Sequence, residues 1–285
     1  MSKKYLAFTL IELLVVIAII GILSGLIVVT MSGMTNSANI AKAQVFSNSL
    51  RNSLMLNLVA EYKFDGPTNI DSTAVSADVT DTWGGYNGAV SGVPTVKGGK
   101  DCVFNKCLSF AANGDYIQVP SLSIPVNGPA TVAGWFYFKD SAMARGSLIY
   151  LYHNFLYQHP ANNFLYIAAA GGSDYFGWKP SLNTWYYLAL TYAGDAHTAK
   201  LYVNTSPVNC TIQSGSQVPA FTNIISGGGA NYFNGLIDEV RIYNNIVPAS
   251  QIKEQYYAGL NNLLAKGKIS SSEYRDNLRE YSVSK

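Results

Sequence analysis

Phe233-Asn-Gly-Leu-Ile-Asp-Glu-Val-Arg-Ile-Tyr243 opens on an Asn-Gly pair and runs on as aliphatic and aromatic residues, interrupted only by Asp238, Glu239 and Arg241. A short β-branched run that starts at a turn signal, here Leu236–Tyr243, reads as a strand. Three upstream stretches repeat the pattern: Thr131-Val-Ala-Gly-Trp-Phe-Tyr-Phe138, Trp185-Tyr-Tyr-Leu-Ala-Leu-Thr-Tyr192 and Lys200-Leu-Tyr-Val203. Each is bounded by Gly, Pro, Asn or Asp, the residues that turns require. About 190 residues from Glu61 onward carry no long helical pattern, which points to a sandwich or jelly roll.

Composition agrees. The 285 residues are only 13% charged and include 20 Tyr and 25 Gly. That excludes a disordered tail or a coiled coil and favours strands and turns. A net charge of +2 is too small for an electrostatic nucleic-acid binder. Three Cys and three His leave little room for a zinc or iron–sulfur framework, and His153, His159 and His197 have no ligand spacing.

The apolar residues are concentrated at the other end. No residue from Leu13 to Val29 is charged. As a helix, Phe8–Val29 would measure about 33 Å, enough to cross a bilayer core of about 30 Å. Lys3 and Lys4 would stay on the cytoplasmic side. A secretory signal has a shorter apolar core and a small-residue cleavage site after it. This run also carries Glu12 near its start. A carboxylate at that depth is costly and calls for a cationic partner. None lies within the helix, so the cation would come from another chain or from a freshly cut N-terminus.

The run Lys3-Lys4-Tyr5-Leu6-Ala7-Phe8-Thr9-Leu10-Ile11-Glu12-Leu13-Leu14-Val15-Val16 resembles the class III signal of type IV pilins and pseudopilins. The resemblance implies cleavage by a prepilin peptidase between Ala7 and Phe8 and N-methylation of Phe8. The family usually has Gly before the cut; Ala7 departs from that. It also implies that the new amino group of Phe8 meets Glu12 of a neighbouring subunit. Opposite charges about 4 Å apart attract by about 4 kcal/mol at an effective dielectric of 20. Loss of the leader's two lysines leaves the mature chain formally neutral. Gly21 and Gly25 make a G-x-x-x-G pair that lets helices approach closely. Beyond the membrane, Ala43, Phe46, Leu50, Leu54 and Leu58 recur at spacings of three and four, so the helix is expected to continue to residue 60.

The rest resembles a second family, the LamG-like concanavalin A-type lectin/glucanase jelly roll. The residues that carry the likeness are Tyr62–Asp65, Asp81-Thr-Trp-Gly-Gly-Tyr-Asn-Gly88, Leu108–Phe110 with Asp115–Pro120, the strands quoted above and the closing Phe233–Tyr243. Pro248–Leu264 then reads as a helix stopped at Gly267, and Ser270 with Glu273 forms a capping box for a second short helix. The expected fold is α+β. A leader (1–7) precedes a long N-terminal helix (8–60, transmembrane over 8–30), an antiparallel sandwich head (61–257) and a helical tail (258–285).

Glycosidases of this class set carboxylates two and four residues apart on one strand face. Alternation puts Asp238 and Glu239 on opposite faces, and no second acid follows at that spacing. No G-x-S-x-G elbow or phosphate loop occurs either. The chain is therefore expected not to be an enzyme. Related heads bind sugars, and flat rings suit pyranose faces, which makes Trp83, Tyr86, Tyr175, Trp178 and Tyr232 candidate ligand platforms. Related heads also hold Ca²⁺, which implies Asp65, Asp71 and Asp238 as oxygen ligands. With the head outside the membrane, Cys102 and Cys107 are expected to pair, leaving Cys210 over.

The functional expectation is a structural subunit of a type IV pilus-like filament with a lectin-like, adhesive head. The alternatives are a minor pilin or pseudopilin of a secretion or DNA-uptake machine, and a tethered carbohydrate-binding protein that does not polymerise. Expected partners are further copies of the chain, the prepilin peptidase, an assembly platform and a carbohydrate or cell-surface ligand, with no nucleic acid. The chain would sit in the inner membrane before assembly and in an extracellular filament afterwards.

Overall fold

The computed structural model describes residues 10–11, 13–21, 56–111, 114–124, 128–139, 146–151, 154–158, 165–169, 172–193, 198–208, 210–214, 224–226 and 233–283. The chain divides into two units, Met1–Ser53 and Leu54–Lys285. In the first, residues 10–11 and 13–21 are helical and are here called α1. Its side chains Leu10, Ile11, Leu13, Leu14, Ile17 and Ile20 are all exposed. Among the described residues no helix is long and apolar enough to cross a membrane.

The second unit is an antiparallel sandwich of two eight-stranded sheets. The first sheet contains β1 (Leu58–Tyr62), β3 (Thr95–Gly98), β4 (Lys106–Phe110), β6 (Ala130–Phe138), β11 (Trp185–Tyr192), β12 (Lys200–Val203), β13 (Ser206–Val208) and β16 (Gly235–Tyr243). Its order is β13-β12-β11-β6-β16-β4-β3, with β1 also on β16. The second contains β2 (Ala89–Ser91), β5 (Tyr116–Gln118), β7 (Gly146–Leu151), β8 (Asn154–Gln158), β9 (Leu165–Ala169), β10 (Gly172–Phe176), β14 (Cys210–Ser214) and β15 (Ile224–Ile225). Its order is β14-β10-β9-β8-β7-β15-β5-β2.

Two apolar clusters explain why β6, β11 and β16 are nearly continuous hydrophobic runs. Val132, Phe136, Leu188, Leu190, Ile237 and Ile242 belong to the larger core. The alternate residues Ala133, Trp135, Tyr187, Ala189, Leu236 and Tyr243 form a second cluster with Ile252, Tyr256, Leu260 and Leu263 of α2 (Ala249–Ala265). The central strands are thus buried on both faces, and the helix supplies the second cover. Gly259 permits the close approach: a Cβ there would lie 2.2 Å from Cζ2 of Trp135.

The tail follows its capping signals. Gly267 takes φ +67°. The N–H groups of Lys268 and Gly267 donate to the carbonyls of Leu263 (2.9 Å) and Leu264 (3.0 Å), closing α2 with a Schellman motif. Ser270 Oγ accepts from the Glu273 N–H (3.1 Å), and Glu273 Oε2 accepts from the Ser270 N–H (2.7 Å), opening α3 (Ser271–Val283) with the expected capping box.

Two expected boundaries need correction. The helix expected to reach residue 60 cannot do so, because Leu58–Tyr62 is β1, paired to β16 from Leu58↔Tyr243 to Tyr62↔Val240. Nor does the head end at 257, since α2 runs unbroken through that position and covers the first sheet.

Candidate functional site

The closing strand organises the chemistry. One edge of β16 is shared: β4 pairs with Gly235–Ile237 and β1 with Val240–Tyr243. On the other edge, β16 against β6 runs in register to Asp238↔Trp135 and resumes at Arg241↔Ala133. Glu239 and Val240 therefore face Gly134 alone, and Glu239 takes φ +53°. This is a β-bulge, which re-aims side chains. Ile237 and Val240 stay in the inter-sheet core. Glu239 turns onto Arg241 and shares the outer face with Asp238. Simple alternation had placed the two acids on opposite faces; the extra residue overturns that.

Both acids are engaged and buried. Glu239 Oε2 accepts from Arg241 Nη2 at 2.5 Å, and Arg241 Nε also donates to Glu61 Oε1 at 2.8 Å. Glu61 Oε2 accepts from Thr82 Oγ1 at 2.6 Å and lies 3.4 Å from Lys63 Nζ. Burial opposes the Glu61 charge, but Arg241, the Thr82 hydroxyl and Lys63 outweigh it and hold the carboxyl below its ordinary value. Burial raises Glu239, with Arg241 opposing and Glu61 adding to the rise. Asp238 is fully buried, and burial lifts it well above the usual carboxylate range against the Phe104 N–H that favours its charged form. Phe104 N donates to Asp238 Oδ2 at 2.8 Å, while Oδ1 has no partner among the described residues. On α2, Gln255 accepts from the Tyr187 hydroxyl (2.5 Å) and donates to that of Tyr243 (3.1 Å), so the helix is keyed to this face.

The three aspartates expected to hold calcium do not converge. Asp71 is exposed and pairs with Lys97 Nζ at 2.5 Å. Asp65 accepts from Lys106 N (2.9 Å) and Asn105 Nδ2 (3.0 Å). Asp65 and Asp238 instead hold the same loop from two sides. Among the described residues no three His, Cys, Asp or Glu side chains gather as a metal set. That loop is closed by a Cys102–Cys107 disulfide.

The candidate ring platforms separate. Trp83 is 44% exposed. Its turn is pinned by the buried Asp81, whose carboxylate accepts from the N–H groups of Glu61 (2.8 Å), Trp83 (2.9 Å), Gly84 (2.9 Å) and Tyr86 (2.9 Å). Tyr86 packs on the core, its carbonyl taking the Tyr62 hydroxyl at 2.6 Å. Trp178 packs on the core and edge-on to Tyr186 at 4.9 Å. Tyr175 lies in β10 opposite Tyr166 and Thr211. The side chain of Tyr175 falls outside the described residues, as do Tyr232, Ala7, Phe8, Glu12, Gly25 and the side chain of Cys210. Gly21 ends the described part of α1, and a Cβ there would meet no atom within 4 Å. Sequence reasoning missed Asp81, Glu61, Arg241 and Lys266 as organising residues; the turn-rich Asp81–Gly88 stretch was the one local signal for Asp81.

Residues 111–253 match the family of concanavalin A-like lectins and glucanases. Residues 2–28 match the prokaryotic N-terminal methylation motif. Domain 4 of AbnA, an extracellular arabinanase from Geobacillus stearothermophilus, solved with arabinotriose, is similar at 19% identity and TM-score 0.51, over 70% of this chain and 97% of that one. The receptor-binding domain of botulinum neurotoxin C/D mosaic serotype is similar at 15% identity and TM-score 0.53, over 72% of this chain. The botulinum neurotoxin serotype D binding domain gives 16% and 0.52 over 73%. The chain spans 52% and 53% of those two domains. At such identities the likeness shows the fold. No curated protein matches the chain.

Proposed function

The chain belongs to the concanavalin A-like lectin/glucanases superfamily and begins with a prepilin motif, and we propose that it is the subunit of a type IV pilus-like filament whose sandwich head serves surface attachment. The observation that carries this reading is the methylation motif at residues 2–28 ahead of a lectin-like head. The motif implies a prepilin peptidase and an assembly system. In this reading residues 1–7 are the leader, Phe8 is the methylated start, and the helix over 8–30 holds the chain in the inner membrane until assembly. Glu12 registers each subunit on the Phe8 amino group of a neighbour, and Gly21 and Gly25 allow close helix packing. The exposed apolar side chains of α1 support this: such a surface needs lipid or other helices around it.

The head acts by binding rather than catalysis. Asp238 and Glu239 are buried, spent on Phe104 and Arg241 and overlain by α2, which supports a structural role for the acid pair. Trp83, exposed on a pinned turn, is the platform best placed for a carbohydrate. Mass spectrometry of the protein from sheared filaments tests the assembly reading. A mature chain starting at N-methylated Phe8 is expected, and Glu12→Ala should keep the subunit out of filaments. A chain that retains Met1 and never leaves the membrane fraction refutes it.

A further inference from the structure

Four separate parts of the chain meet on the short segment Asp101–Cys107, which the Cys102–Cys107 disulfide closes. Asp65, just after β1, accepts from Lys106 N and Asn105 Nδ2. Asp238 on β16 accepts from Phe104 N at 2.8 Å. Trp185 Nε1 on β11 donates to Asp101 O at 3.2 Å. Lys266, which ends α2, donates from one ammonium to the carbonyls of Cys102 (3.0 Å) and Phe104. Two carbonyls two residues apart converge on one ammonium only where the backbone between them is bent. The cystine fixes the ends of that bend, with a Cα–Cα distance of 5.5 Å. Cys102, Val103 and Cys107 are wholly buried, in the cluster that also holds Leu260 and Leu263, the last buried residues of α2.

We infer that the Cys102–Cys107 bond is a redox catch that seats the C-terminal end of α2, and the start of α3 with it, on the head. Closing it removes two protons and two electrons from the thiols, and an oxidant of the disulfide class accepts them by exchange. Disulfides persist in oxidising compartments, so the catch closes once the head has left the cytoplasm. In the reduced chain the loop regains its conformational freedom, the two carbonyls diverge, and Lys266 loses its seat. Release is graded along the helix. Upstream, Ile252 and Tyr256 remain packed on the sheet, with Tyr256 stacked on Trp135 at 5.6 Å. Downstream, Tyr274 at the start of α3 donates to Asn261 and follows the end of α2, while Asn277 further along α3 stays bonded to the seated Tyr256. This inference concerns the head and holds whether or not the chain polymerises.

Hydrogen–deuterium exchange on the full chain in detergent micelles tests it, comparing the oxidised protein with Cys102→Ser/Cys107→Ser. Amides in residues 260–274 should exchange about tenfold faster or more, while 130–138, 185–192 and 249–256 keep their protection. Unchanged protection at 260–274 overturns the inference. So does equal loss across the whole head, which would make the bond a global staple. Lys266→Met, with the disulfide intact, should show the same localised release; full protection in that variant also overturns it.

Discussion

Arg241 Nε donates to Glu61 Oε1 at 2.8 Å, joining the last strand of the sandwich to its first across 180 residues of sequence. The same guanidinium holds Glu239. Two carboxylates thus share one cation beneath α2, and β1, the strand that leads in from the N-terminal unit, is fastened by its side chain as well as by its ladder. Removing one partner of a mostly buried ion pair leaves an uncompensated charge, which costs about 3–5 kcal/mol. Arg241→Met strands Glu239, leaves Glu61 with Thr82 and Lys63, and should fall in that range. Glu61→Gln leaves Arg241 its Glu239 partner and should cost less. Urea unfolding of the full chain in detergent, with an unchanged slope, is the check.

The pH dependence has two components of opposite sign. The carboxyls of Asp238 and Glu239 titrate above their unfolded values of 3.8 and 4.5. In that window the folded state binds more protons than the unfolded chain, so stability falls as pH rises through it. Glu61 is held below 4.5, so its contribution is present above that pH and is lost on acidification. Asp238→Asn keeps an acceptor for the Phe104 N–H and abolishes the first component at that site. Relative to the parent, it should gain stability steadily as pH rises above 3.8. A parallel pair of stability–pH curves would remove Asp238 as the source.

Gly259 is where helix and sheet touch. A Cβ there would lie 2.2–2.7 Å from ring atoms of Trp135, which is fully buried and cannot swing aside. Gly259→Ala should therefore push α2 outward, despite alanine's better helix propensity, at about 1–3 kcal/mol. Altered Trp emission together with lower stability is the expected signature. A stabilised variant would mean that the interface yields more easily than the packing implies.

The strands that carry the site were legible. β11 and β12 match their sequence readings residue for residue, and β6 and β16 begin one residue earlier. These runs are long, β-branched or aromatic and bounded by turn residues, so local chemistry defines them. Both tail caps were legible for the same reason: a Schellman glycine and a capping box are defined within a few residues. Leu58–Ala60 was not legible. Its spacing continues the helical stripe of Leu50 and Leu54, and only pairing with β16, far along the chain, makes it a strand. The bulge at Glu239 was hidden too, because it exists only in the register between β16 and β6. The same limit undid the aspartate set: Asp65 and Asp238 share a loop while Asp71 pairs with Lys97, and spacing in sequence carries no trace of that.

Trp83 and Asp81 supply the test of the head. Four N–H groups converge on one buried carboxylate, so Asp81→Ala leaves those that water cannot reach unsatisfied, at about 1–3 kcal/mol each. Its effect should be strongest in the turn, seen as faster amide exchange over residues 82–86. Trp83→Ala removes an exposed ring that stability does not need, so unfolding should shift by less than about 0.5 kcal/mol. The two variants separate a platform from its support. If Trp83 carries a sugar, both lose retention on a glycan array that the parent binds, Trp83→Ala with its fold intact and Asp81→Ala through a loosened turn. Retention that survives Trp83→Ala would move the ligand surface elsewhere on the head, and a parent protein that binds no glycan on the array would leave the head a structural role in the filament.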